Sequence, residues 1–267
     1  MSDEPVIYHR DGHIVTLTLN RPEELNAFSD RSMVEGFLAA LDRIKGEDDV
    51  RCVILTGAGR AFSAGGNVKH MRDKTDMFAG TQADIEDAYR NHVHRVPKAF
   101  WDLDIPVIAA VNGPAFGIAL DLVCICDIRI ASDTASFGAP FVRIGIAPGD
   151  GGAWFLSRII GTAKAAEMIL IGEPIDAQTA LSAGLVGKVS GPDQLMGVAR
   201  TIARRIAQNA PLAVRRSKRL LRDVPLQSLN EHLDACAVAQ AELHTTDDHL
   251  EAVTAFLEKR APVYETK

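Results

Sequence analysis

Three short runs that are apolar on both faces, residues 52–56, 106–111 and 123–130, constrain this chain more than anything else in it. A strand with one solvated face alternates apolar and polar residues, whereas one buried on both faces reads as an unbroken apolar run. Stretches with helical periodicity separate the three runs, and parallel strands need such crossovers, which are right-handed. The expectation is therefore an α/β core on a parallel sheet. Residues 6–19 open it as a hairpin, alternating and rich in Val, Ile, Thr and Tyr, with Asp11 and Gly12 at the turn. A polar loop over 21–26 follows. Ser29 or Asp30 then caps a helix that turns Met33, Phe37, Leu38, Leu41 and Ile44 towards the core. From about Gly152 onward strand signals fade, apart from 185–189. Helices are predicted over 193–208, 212–222 and 226–244, with a last one from Asp248, where Glu251 completes a capping-box pattern.

The 267 residues are 47% hydrophobic, enough for one large core, and a net charge of -6 exerts no general pull towards nucleic acid or an anionic membrane. The longest apolar stretch, 105–119, is interrupted by Pro106, Asn112, Gly113, Pro114 and Gly117, so no membrane-spanning helix is expected. Residues 1–11 place Asp3, Glu4 and Pro5 where a signal peptide needs a cationic end and an apolar run; a cytoplasmic location is expected. Cys52, Cys124, Cys126 and Cys236 read as reduced, buried thiols, with Cys124 and Cys126 on one face of the third predicted strand. No second pair stands at zinc-ribbon spacing, and His92 and His94, two apart in a predicted helix, point to different faces, so no metal is expected. Arg204, Arg205, Arg215, Arg216, Lys218, Arg219 and Arg222 form a basic group, four of them on one helical face. Without interleaved aromatic residues that stripe reads as a solvated face rather than an RNA-binding one.

Two segments have a design that packing alone does not call for: Phe62-Ser63-Ala64-Gly65-Gly66-Asn67-Val68-Lys69 and Asn112-Gly113-Pro114-Ala115-Phe116-Gly117-Ile118-Ala119-Leu120-Asp121. Each leaves a predicted strand through small residues and enters a helix. Small residues let a ligand approach the backbone, and the free N–H groups of a first helical turn then point at it. Two such turns side by side would aim two donors at one oxygen, the arrangement that stabilises an oxyanion. On glycines alone, plain turns explain either segment equally well. A dinucleotide fingerprint beginning at Gly57-Ala58-Gly59 fails at Phe62, where its third glycine belongs.

The order of short motifs along the chain carries more. Leu19-Asn20-Arg21-Pro22, residues 62–71, residues 106–113, Cys126-Asp127-Ile128-Arg129, Pro148-Gly149-Asp150-Gly151-Gly152 and Ala183-Gly184-Leu185-Val186 resemble, in sequence, the motifs of the enoyl-CoA hydratase/isomerase (crotonase) superfamily. The resemblance runs from about Val6 to Arg260. It implies a spiral of ββα turns over residues 1–195 that binds acyl-CoA, and a helical C-terminal region over 196–267 that assembles a homotrimer or a dimer of trimers. It implies that the thioester oxygen sits between the backbone N–H groups of Gly66 and Ile118. It further implies that Ala64, Gly66, Asn67, Val68 and Lys69 line the CoA site, and that Phe256 and Lys259 reach the CoA of a neighbouring subunit. No cofactor is implied beyond the coenzyme A of the substrate itself.

The acid and base depart from the family pattern. A two-glutamate hydratase has one carboxylate where Asp121 stands and the other where Phe141 stands, and Phe141 can neither deliver nor accept a proton. Asp121 is thus expected as the principal acid/base, or else as a helix-start cap or an ion-pair partner of Arg129 or Arg143. Asp150 is expected either to assist it or to cap the helix that follows, and Arg143 either faces a carboxylated substrate or is solvated. The leading expectation is hydration of 2-enoyl-CoA. Beside it stand a double-bond isomerase with one shuttling carboxyl, a decarboxylase or C–C hydrolase of acyl-CoA, and a non-catalytic or RNA-binding protein of the same fold.

Overall fold

A computed structural model describes residues 4–28 and 31–265; the expected helix caps Ser29 and Asp30 lie outside the described residues. The hairpin forms as β1 (Val6–Asp11) and β2 (Ile14–Leu19), paired antiparallel with Asp11 opposite Ile14. Helix α1 (Arg31–Lys45) buries Met33, Val34, Phe37, Leu38, Leu41 and Ile44, a face set by three- and four-residue spacing. Then come β3 (Cys52–Gly57), α2 (Val68–Asp73), α3 (Gln82–Ala88), α4 (Arg95–Trp101), β4 (Val107–Val111), β5 (Ala115–Phe116), α5 (Ile118–Ile125), β6 (Ile128–Ser132) and β7 (Ser136–Gly138). The remainder is α6 (Gly152–Ile171), β8 (Ile175–Asp176), α7 (Ala177–Ser182), β9 (Lys188–Ser190), α8 (Pro192–Ala207), α9 (Pro211–Asp223), α10 (Leu229–Leu243) and α11 (Asp247–Glu258).

The main sheet has the order β1-β2-β3-β4-β6-β9 and is parallel from β2 onward; a small second sheet has the order β5-β7-β8. Successive ββα turns feed both sheets, β4 with β5 and then β6 with β7, each placing its first strand in the large sheet and its second in the small one. The turn before them does the same with a single residue, because Ser63 makes a parallel bridge to Ala115. One face of the large sheet packs on α1, α4 and α5. The other is covered by α8, whose Leu195, Ala199 and Ala203 meet Cys52, Ile54, Ile108, Ala110 and Ile130. The expected boundary at 195/196 thus falls inside the helix that completes this second core layer. No described helix is long and apolar enough to cross a membrane.

Three expectations need correcting. The third strand, predicted over 123–130, begins only at Ile128, because 118–125 is α5, buried at every residue. A helix apolar all round carries no amphipathic period, so its sequence cannot be told from that of a buried strand. Cys124 and Cys126 therefore share no strand: Cys124 lies in α5 and Cys126 caps its end. The last helix is capped by the Thr246 side chain, which accepts from the His249 N–H, rather than by Asp248. The basic stripe on α9 is solvated only in part: Arg219 is exposed, but its neighbours on that face are tied to the protein. Lys218 is 5% and Arg222 8% exposed, and Arg215 donates to the carbonyls of Asp48 and Val50.

Candidate active site

The two glycine-containing segments come together as a registered pair. Beyond the Ser63–Ala115 bridge, the Phe116 N–H donates to Ser63 O at 3.1 Å, which fixes the two chains in parallel. Three residues after each bridge partner stand Gly66 and Ile118, and both line one cavity of about 120 Å³. Among the described residues neither backbone N–H finds an acceptor. The approach requires Gly65, which has φ +82; a Cβ there would stand 2.3 Å from Phe116 O. Ile118 is the first residue of α5, so its N–H is one of the unpaired donors at the positive end of that helix.

The remaining wall is largely apolar: Phe28, Val68, Met71, Met77, Phe78, Val93, Phe141, Ile144 and Ile146, with Ala64, Tyr89 and Asp150. Phe141, 8% exposed, closes the side nearest the two donors; a Cβ on Gly117 would lie 3.6 Å from its ring tip. Of the residues expected around CoA, Ala64, Gly66 and Val68 are on this wall. Asn67 instead caps α2 by accepting from the Lys69 N–H at 2.9 Å, and the Lys69 side chain is exposed. Phe256, 82% exposed on α11, and Lys259, which caps the C-terminal end of that helix, stand outside this wall.

Two carboxyl groups are buried beside the donors, and they are placed differently. Asp150 is 9% exposed, lies on the cavity wall, and its Oδ1 is buried with no partner among the described residues. The helix α6 that follows is capped by the backbone at Gly151 with no side-chain bond, so Asp150 does not serve as the cap. Loss of solvent raises its pKa from the ordinary 3.8 to about 6, opposed by the nearby His94 ring. Asp121 is 2% exposed, sits in the first turn of α5 behind the wall, and leaves Oδ2 without a partner. Burial first, and the Asp150 charge second, push its carboxyl well above the ordinary range. It packs so closely on the start of α6 that a Cβ at Gly152 would stand 2.4 Å from Asp121 Oδ1. Neither arginine considered as its partner is paired with it: Arg129 donates to the carbonyls of Leu185 and Cys126, and Arg143 is exposed.

Sequence reasoning missed two residues that hold this wall. A π-turn over Tyr89–Val93 lets the His94 N–H reach Tyr89 O at 2.9 Å and turns both side chains towards the Asp150 loop. His94 Nε2 bonds Gly149 O at 2.8 Å, and a Cβ on Gly149 would lie 3.0 Å from the Tyr89 ring. Their partners are more than fifty positions away, so no local pattern announces them.

The enoyl-CoA hydratase/isomerase family model matches residues 9–267. The chain is 39% identical over 256 residues to a short-chain-enoyl-CoA hydratase of Clostridium acetobutylicum, covering 96% of this chain and 95% of that one. It is 33% identical to a 1,2-epoxyphenylacetyl-CoA isomerase of Escherichia coli, covering 99% of each. Among solved structures it superposes on an enoyl-CoA hydratase of Bacillus anthracis with a TM-score of 0.92 at 34% identity, covering 98% of this chain and all of the other. With a family match over nearly the whole chain and a shared fold, the chain belongs to the enoyl-CoA hydratase/isomerase family of the crotonase superfamily.

Proposed function

We propose that this protein binds an acyl-CoA thioester, holds its carbonyl oxygen on the N–H groups of Gly66 and Ile118, and hydrates 2-enoyl-CoA. The observation that carries the reading is the placement of two unpartnered carboxyl oxygens, on Asp121 and Asp150, beside two unpartnered donors. Hydration adds water's oxygen at C3 and a proton at C2, and an oxyanion hole holds the enolate charge that develops between these events. The two carboxyls have environments that separate their roles near neutral pH. Asp150, at about 6, is largely ionised and acts as the base that orients water. Asp121, whose carboxyl burial and then the Asp150 charge push well above the ordinary range, is the proposed acid, at the position the family keeps. Asp150 thus stands in for the carboxylate that Phe141 replaces. The reaction takes no metal or redox cofactor, since the thioester itself makes C2 acidic.

One observation favours a second reading. Asp150 alone is on the cavity wall, and one wall carboxyl suffices to move a proton between C4 and C2 in a double-bond isomerase. Crotonyl-CoA and a 3-enoyl-CoA separate the two. Loss of the conjugated enoyl absorbance with the first is the hydratase result; no loss there, with gain from the second, overturns hydration in favour of isomerisation. Asp121→Asn is expected to remove most turnover while CoA binding persists, and full activity in that variant would remove Asp121 from the mechanism.

The assembly is proposed to be a homotrimer or dimer of trimers. Leu250, Phe256 and Leu257 on α11 are each more than 65% exposed, apolar surface that a second copy of the chain would cover. In such an assembly Phe256 and Lys259 reach a neighbour's CoA, and the site of action is cytoplasmic.

A further inference from the structure

A second cavity, of about 480 Å³, lies across the Asp150 loop from the first. Asp150 belongs to both walls, and its chain neighbours Gly149 and Gly151 contribute no side chain to the partition. The new cavity is aromatic: Trp101, Trp154 and Phe155 line it with Pro97 and Pro148. The three rings hold one another edge-on or tilted, with centroids 4.9 to 5.7 Å apart. Two arginines fix them from outside, Arg158 3.8 Å from the Trp154 ring centroid and Arg222 4.6 Å from that of Trp101. The rings are thereby braced against one another, and the cavity is open to solvent beside the Asp150 loop.

The first cavity gives the complementary constraint. At about 120 Å³, with Phe141 closing one side, it accommodates the thioester end and a short acyl segment. We propose that the aromatic cavity is a subsite for the distal end of the substrate's acyl group, and that the substrate class is an acyl-CoA bearing an aryl ring. This rests on the acyl-CoA reading above and goes beyond it by naming the acyl end. An aryl group suits the site because ring edges and faces are already presented at stacking distances, whereas a flexible alkyl tail would gain area without geometry. His94, Lys98 and Asp150 are its polar lining side chains, with charges of both signs available at the edge, so the subsite takes a neutral or weakly polar ring.

The chain's two tryptophans are both in this wall, so their fluorescence reports on it without any substitution. The full-length protein is titrated with butyryl-CoA and with 3-phenylpropionyl-CoA, saturated analogues that do not turn over, and binding is followed in parallel by calorimetry. The proposal expects both to bind and only the phenyl compound to shift or quench tryptophan emission. Both binding with equal effects on emission, or with none, overturns the aryl subsite while leaving the acyl-CoA reading intact. Neither binding overturns the acyl-CoA reading itself. Emission that responds to dilution of the protein and not to the phenyl ligand also overturns it, since the cavity is then an interface between copies. As a second measurement, Trp154→Ala is expected to lower kcat/KM for cinnamoyl-CoA by at least about tenfold while that for crotonyl-CoA changes less than about twofold. Equal losses on the two substrates count against the subsite.

Discussion

Helix α5 has ionisable groups buried at both of its ends, and the two ends are treated in opposite ways. At the C-terminal end Asp127 is shared by Lys218 Nζ at 2.8 Å and Arg222 at 3.4 Å. Lys218 also donates to Ile105 O at 2.6 Å, and Arg222 to the carbonyls of Trp101, Leu103 and Ile125. Burial still pulls Lys218 down to about 8, the mark of a charge held in place at some cost. At the N-terminal end Asp121 and Asp150 have no counter-ion, and an oxygen of each goes without a hydrogen bond among the described residues. Buried charge is therefore no sign of function in itself; buried charge left unpartnered beside free donors is.

Several substitutions sharpen or break this contrast. Asp127→Ala should have the largest effect on stability, a loss of about 3–5 kcal/mol in chemical denaturation, because two buried cations lose their anion. A loss below about 1 kcal/mol would put the two ends of α5 on the same footing. Asp150→Asn should lower turnover by about 10²–10³-fold, as for removal of a general base. It should also stabilise the fold above pH 6. With the folded pKa raised from 3.8 to about 6, ionisation disfavours the folded state, so stability falls as pH rises through that window, by as much as about 3 kcal/mol, and the amide abolishes the fall. Denaturation at pH 4 and pH 7.5, for both proteins, checks the sign. For the same reason kcat/KM of the native enzyme should decline below about pH 6 as the base becomes protonated. Smallest is Arg216→Ala, which breaks a pair with Glu242 at 2.5 Å that is more than one-third exposed on both sides; less than about 1 kcal/mol should be lost.

Much of the scaffold was legible in the residues. Hairpin, central strands and C-terminal helices followed from period and turn chemistry, and the two glycine segments stood out as more than packing requires. Where local reading failed, tertiary burial had erased the signal. The wholly apolar α5 looked like part of a strand, and the stripe on α9 looked solvated because the carbonyls and carboxylate it grips are about a hundred positions away. Asp121 and Asp150 were recognisable as candidates, yet their order was not. The choice between cap and acid for Asp150 turns on whether its carboxyl bonds a first-turn N–H of α6, which it does not, a fact of three-dimensional geometry.

The sequence by itself determined the family and the parallel α/β framework, because each depends on residue types at fixed short spacing. Only the tertiary structure decided which carboxyl faces the cavity, which cations are buried against Asp127, and that both tryptophans border the Asp150 loop. These depend on desolvation and on partners brought from distant parts of the chain, and neither quantity is written in any local stretch of residues.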